Sequence, residues 1–481
     1  MNISGRNSEA ESGLAEREAR IIFKKRLFAF YLVWSVPVLL FTLNPSFVTP
    51  AWPVWMAISC TFLFALVDIR FLSLGIPFAG LFSPLAKSTL VIGLLPSELY
   101  VGGCALILMI QLFWGMRIKK SPVNKFLISL LFIVLLSFVF SIDQQSVIKS
   151  LINWAALVVV FLMTSFHARS SSFAEAYLKS LVIISVFTSL IIVRAYANGL
   201  QLATFLYGEE VRIIFENVRY FFRGSFWYNN VSLVLGSGFM AAMIYLFYAK
   251  TKAAFTLVAG AIIIILLALI VAFNKTAMLS IFASAVVLLM VNVRKVSAKS
   301  LILAILSTAF VLGGLLYLLR PIVKQPEYLR LTTGSFLIRL TVYKSAFNVL
   351  LDDPLRLLVG YGPDATLRMA NDIVDSAKRG SAGLEGAIDS AYMTYLFEYG
   401  IVFLLLLGSY LIYVLRRLLR DVRKHSLNSF VSTALFAIYV FICVAAMTQV
   451  ISTSKVAWVV VGLFALGGSW KYGMADIRKH T

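Results

Sequence analysis

The stretch Gly386–Leu407, GAIDSAYMTYLFEYGIVFLLLL, passes from polar residues into a strongly apolar run, yet it carries Asp389 at its mouth and Glu398 inside. A carboxylate at such an edge can cap a helix by accepting backbone N–H groups, or it can orient and deprotonate a substrate hydroxyl. Asp389 and Ser390 read either as a cap pair or as part of a reaction centre at a membrane surface. Glu398 stands nine residues after Asp389, about 13 Å farther along a helix that rises about 1.5 Å per residue. An ionisable group at that depth is costly and faces a partner or a wet cavity. It reads as half of a buried ion pair or as a support for the site.

Cations stand at other edges of the apolar runs. Arg223 lies in YFFRGSFWYNN, just before Asn229 and Asn230, and Lys275 lies in the turn NKTAMLS. Arg339 is followed four residues later by Tyr343, a spacing that puts both on one helix face. An arginine presents a planar fork of donors that suits phosphate oxygens and keeps its charge at any relevant pH. Each also has a plainer reading: Arg223 anchors an aromatic belt, and Lys275 serves a tight chain reversal. Gly360 and Gly362, in GYGPD, mark a turn after Asp353-Pro354.

The elements that must position these residues are set by composition. The chain has 481 residues, of which 60% are hydrophobic and 14% charged, and its mean hydropathy is +0.90. A water-soluble core of ordinary proportions cannot hold that much apolar surface. The expected fold is an all-α polytopic membrane protein, because the apolar runs approach the roughly 20 residues that cross a bilayer as helix and lack the alternation of a barrel. About fourteen spans are predicted, at 27–43, 51–68, 71–86, 99–116, 126–142, 148–166, 177–195, 227–248, 253–272, 276–292, 300–318, 391–415, 428–449 and 454–470. The span 71–86 is short and contains Pro77 and Pro84, which suggests a re-entrant segment and a total of twelve or thirteen. Cys60, Cys104 and Cys443 fall in apolar runs, and His167, His425 and His480 are scattered. No disulfide framework, metal centre or cofactor is indicated.

Basic residues orient the chain. With the N-terminus inside, 26 of the 43 Lys/Arg fall on the cytoplasmic side, and most of the others sit in two external segments, 194–227 and 320–390. The organisation read from this is a cytoplasmic tail at 1–26, an N-terminal transmembrane bundle at 27–318, a large periplasmic loop at 319–390, C-terminal transmembrane helices at 391–470 and a tail at 471–481. A loop of that size is more than a connector. Within it Ser335 is a candidate N-cap and FLIRLTVYKSAFNVLL is helix-compatible, lying against the membrane or the bundle. Residues 320–390 hold nine Lys/Arg and eight Asp/Glu, so any anion site there must be built from particular cations, not a diffuse field.

Arg339, Tyr343, Pro354, Gly360-Tyr361-Gly362, Asp389-Ser390, Tyr392, Glu398 and Gly400 follow one another in an order that resembles the bacterial O-antigen ligase/polymerase superfamily of membrane glycosyltransferases. RGSFWYNN and NKTAMLS resemble two further family segments, so the likeness covers residues 219–400 and the topology. The resemblance implies a GT-C-like helical fold acting on a glycan carried by undecaprenyl diphosphate in the inner membrane, without a metal. It implies that Arg223, Lys275, Arg339 and Tyr343 bind the diphosphate. Asp389 and Arg339 would be catalytic, and Asn229, Asn230, Gly360, Gly362, Ser390, Tyr392 and Glu398 would support them.

Two departures carry information. Lys275 replaces the family's usual arginine, and Asp389-Ser390 stand where ligases have histidine and asparagine. The expectation is therefore a polymerase joining lipid-linked repeat units, with an O-antigen ligase as the alternative and a flippase as the reading from another class. Transport would place ionisable residues or broken helices near mid-membrane in several spans, and here the charges gather at the outer edges. The expected partners are the lipid-linked glycan, membrane lipids, a chain-length regulator and a flippase, with no nucleic acid.

Overall fold

A computed structural model describes residues 4–43, 52–82, 96–114, 122–141, 144–168, 170–197, 225–249, 251–271, 275–292, 342–369, 390–423, 429–447 and 456–469. All regular structure among these residues is helical. The helices are α1 (Ser4–Leu43), α2 (Trp52–Val67), α3 (Arg70–Phe82), α4 (Pro96–Phe113), α5 (Pro122–Val139), α6 (Gln144–His167) and α7 (Ser171–Ala197). They continue with α8 (Ser225–Phe247), α9 (Lys252–Val271), α10 (Lys275–Asn292), α11 (Pro354–Val359), α12 (Ala365–Arg368), α13 (Ala391–Arg423), α14 (Ser429–Ala445) and α15 (Val456–Ser469). Residues 342–352 form a further helical run.

Thirteen of the fourteen predicted spans coincide with these helices, and the one at 300–318 lies outside the described residues. Among the described residues, four helices are long and apolar enough to cross a membrane, and eight shorter apolar helices accompany them. The chain is thus a polytopic, all-helical membrane protein. Large apolar side chains face outward along its sides, among them Leu257, Phe132 and Leu405, as a hydrocarbon solvent permits. The segment read as a tail, 1–26, is mostly the first part of α1. Its residues SEAESGLAEREAR are rich in the helix formers Ala, Glu and Arg, and forty residues at about 1.5 Å each reach about 60 Å, twice a bilayer core.

Two helices are buried on every side and form the spine. From Val231 to Ile244 every residue of α8 is buried, and α8 packs against α7, α9, α10, α14 and α15. Every residue of α3 from Phe71 to Phe82 is likewise buried, between α2, α4, α6, α7 and α15. A helix apolar all round belongs in such a core. Ser185 ties α7 to α8 by donating to the Val234 carbonyl at 2.9 Å.

Alternation of the helices sorts their ends onto two faces. Arg194 Nε donates to the Thr42 carbonyl at 3.1 Å, and the Ala391 N–H to the Ala446 carbonyl at 3.0 Å, at what we call the loop face. Tyr245 bonding Glu175 at 3.1 Å and Arg417 bonding Gly468 at 2.7 Å mark the opposite face. The run 342–352 turns its apolar side onto α13, where Val342, Ala346 and Leu350 form a separate small core with Ala365, Leu396 and Phe397. It stops at Asp353-Pro354, as the sequence predicts.

Candidate functional site

The site is built on a broken helix. Across its 33 residues α13 is helical except at Gly400, whose φ of 77° and ψ of 176° interrupt the ladder. Such a break takes away the N–H partners of the carbonyls just before it, and buried carbonyls must find others. Here they find the GYGPD turn. The Tyr361 N–H donates to the Phe397 carbonyl at 2.9 Å, and the Gly362 N–H to the Glu398 carbonyl at 3.0 Å.

Only glycine fits on either side of this junction. Gly360 has φ 81°, and a Cβ there would stand 2.3 Å from the Glu398 carbonyl oxygen. A Cβ on Gly400 would stand 2.1 Å from the Leu358 carbonyl oxygen. Both contacts are with backbone, so no side-chain adjustment relieves them, and positive φ adds its own strain. The turn and the helix break are one lock made of two glycines.

The turn is held from behind by α11. Asp353 caps that helix, its Oδ1 accepting from Leu355 and Arg356 N–H at 3.1 and 3.2 Å, with Pro354 in the first position. Arg356 donates to the Phe140 carbonyl just past the end of α5, lies 5.1 Å over the Tyr361 ring and pairs with Asp353 at 3.8 Å. The Tyr361 ring stacks on Phe397 at 5.0 Å, and its hydroxyl donates to the Val349 carbonyl at 3.3 Å. Burial, followed by the nearby Asp353 charge, raises the pKa of that hydroxyl, so it remains a donor. Asp364, next in line, adopts a left-handed φ of 57°, uncommon for a residue with a side chain.

Glu398 sits directly under this turn. It is buried, and its Oε1 accepts the Thr366 hydroxyl at 3.2 Å. The Asp364 backbone and the Tyr399 side chain also hydrogen-bond this carboxyl, so among the described residues it is held by a set of hydrogen bonds. Beside it Trp154 donates to the Tyr399 hydroxyl at 3.1 Å, tying α6 to the break.

The other predicted residues fall as follows. Ser390 begins α13, is buried, and its Oγ accepts from the Met393 N–H at 3.5 Å, a long cap bond. Tyr392 donates to the Cys443 carbonyl at 2.9 Å and so fixes α13 to α14. Tyr343 packs against the small core of the 342–352 run. Asn229 and Asn230 lie near the start of α8 and Lys275 opens α10, both helix starts on the loop face; their side chains lie outside the described part. Arg223, Arg339 and Asp389, with the candidate cap Ser335, lie outside the described residues. The residues brought together are therefore Gly360, Gly362 and Glu398, with Ser390 and Tyr392 at the N-terminal end of the same helix.

Two participants were not singled out from the sequence. Arg356 could have been read from Asp353-Pro354-Leu355-Arg356, a capped start whose i,i+3 pair lies on one side. Thr366 had no local signal, since its partner is 32 residues away.

Residues 226–408 of this chain match the family model described as O-antigen ligase. The matched segment contains α8, the GYGPD turn and the Gly400 break. No curated protein matches the chain.

Proposed function

We propose, from a chain whose residues 226–408 match the family model described as O-antigen ligase, that this protein is a polysaccharide polymerase. It joins repeat units carried on undecaprenyl diphosphate at the outer face of the inner membrane. Members of the superfamily are membrane glycosyltransferase-like enzymes, so a glycan transfer is the common premise. The finer assignment rests on the identity of residue 389, which is aspartate. Of the chain's three histidines, His167 is buried at the opposite face against Ser73, 2.8 Å from its Oγ, while His425 and His480 lie outside the described residues.

The chemistry needs few parts. The acceptor sugar hydroxyl attacks the anomeric carbon of the lipid-linked chain, the bond from that carbon to the diphosphate breaks, and the electron pair leaves with the diphosphate. Asp389 takes the hydroxyl proton. Arg339, Arg223 and Lys275 stabilise the negative charge that develops on the leaving group. The lock between Gly360 and Gly400 holds the GYGPD turn against α13, the helix that follows Asp389 in the sequence.

Asp389→Asn keeps the shape and removes the base. The expected result is a collapse of the chain-length ladder by about a hundredfold with thermal unfolding unchanged; an unchanged ladder would leave Asp389 as a cap. The family description favours one other reading, transfer of the finished chain to lipid A-core by a ligase. Gene deletion separates the two. Single repeat units on lipid A-core indicate the polymerase, and polymer accumulating on undecaprenyl diphosphate with no attached chains indicates the ligase. Units trapped on the cytoplasmic leaflet would point to a flippase instead.

A further inference from the structure

The outward side of α13 changes character along its length. Leu405, Ile412 and Tyr413 are 65%, 52% and 40% exposed, and Arg416, Arg420 and Arg423 are exposed as well. At about 100° of turn per residue these six positions fall within about 100° of arc, so they form one stripe, apolar first, then a tyrosine, then three arginines. Val414, Leu418, Asp421 and Val422 take the inner side and are buried.

Among the described residues none takes up the guanidinium of Arg416, Arg420 or Arg423. Their neighbour Arg417 differs, since it donates to the Gly468 carbonyl at 2.7 Å. Asp421, the one acidic residue from 413 to 423, is buried on the other side of the helix. Helix α5 packs on α13 through the stack of Phe126 on Tyr410, ring centres 4.7 Å apart, and brings the exposed Lys125 to the same edge.

We propose that this stripe binds the headgroups of anionic phospholipids at the face opposite the loop face, and so fixes the depth of the helix that carries the Gly400 break. Continuity names the partner. Lipid tails that pass Leu405 and Ile412 end in headgroups, and the arginines that meet those headgroups continue the same stripe. Tyr413 marks the level of the change, as an aromatic ring at a membrane interface does. Arg423 stands seven residues after Arg416, about 10 Å along the helix. The headgroup layer is about 5 to 8 Å thick on each side of the core, and long basic side chains reach back toward it. The planar fork of arginine pairs with phosphate oxygens. A helix dipole favours cations within the last turn only, which accounts for Arg420 and Arg423 and leaves Arg416 to the lipid. A soluble acidic partner would dock on cations standing clear of the membrane, whereas Arg416 comes three residues after Tyr413.

The test titrates the full chain, stripped of lipid in dodecyl maltoside, with phosphatidylglycerol or with phosphatidylethanolamine of the same acyl chains, and counts bound lipids by native mass spectrometry. Phosphatidylglycerol should bind the more tightly. The triple variant R416Q/R420Q/R423Q should weaken its tightest site by about a hundredfold, with phosphatidylethanolamine binding and lipid-free melting unchanged. The double variant K24Q/K25Q, on α1 at the same face of the bundle, should keep that site. If the triple variant does not fold, Arg416→Gln alone should weaken the site about fivefold. Equal binding of the two lipids, full binding by the folded triple variant, or the same loss in the α1 variant overturns the proposal. Inorganic phosphate should not compete; competition would reveal an anion site indifferent to lipid and overturn it too.

Discussion

At the face of the bundle away from the loop, Arg70 lays its guanidinium on Asp68, with Nε 2.8 and 2.9 Å from the two carboxylate oxygens, and covers the Phe23 ring at 4.1 Å. At the loop face the corresponding work is done by backbone: two N–H groups of the GYGPD turn close on two carbonyls freed by the break at Gly400. The first arrangement is made of side chains, 29% and 14% exposed, which can shift or be replaced at modest cost. The second has no adjustable part, because the atoms that touch are Cα positions and carbonyl oxygens. A side-chain knot fastens a structure, whereas a backbone lock sets a position.

The contrast can be broken most forcefully at Gly400. Gly400→Ala should destabilise the protein by about 3 kcal/mol or more, from positive φ together with a contact no rotamer relieves, and should abolish the chain-length ladder. Gly360→Ala should do nearly the same. The double variant should cost well below the sum, since both break one lock; thermal unfolding in detergent measures the cycle, and additive costs would separate the two glycines.

Arg356→Gln comes next. It removes the charged donor from the Phe140 carbonyl and should cost about 1.5–3 kcal/mol, with a partial loss of chain length. Arg70→Ala, at the other face, should cost about 1 kcal/mol and leave the ladder intact; a shortened ladder would show that the two faces are coupled. Tyr361→Phe should be mildest, about 0.5 kcal/mol, since it gives up one long bond to Val349 and keeps the stack on Phe397.

Much of the architecture was legible. Hydrophobicity is a property of consecutive residues, so thirteen spans could be placed from local runs, and Asp353-Pro354 marked a helix boundary through sterics that act between neighbours. Glu398 was recognised as an anomaly for the same reason, a charge inside an apolar run. Its partner was not, because Thr366 reaches it through the fold. Gly400 stood in the motif as a helix residue, and nothing in its neighbours announces a break. The helix can interrupt its ladder there only because donors 36 residues before the carbonyls they reach arrive to complete it.

The sequence by itself determined a helical membrane bundle, the order of its apolar spans along the chain and the residue types that could handle a diphosphate and a hydroxyl. Those follow from composition and short-range pattern, which need no folded context. Only the tertiary structure decided that the GYGPD turn and α13 share one junction and that Arg356 pins the turn to α5. Each of these is a relation between segments far apart in the chain, fixed by where buried carbonyls find donors.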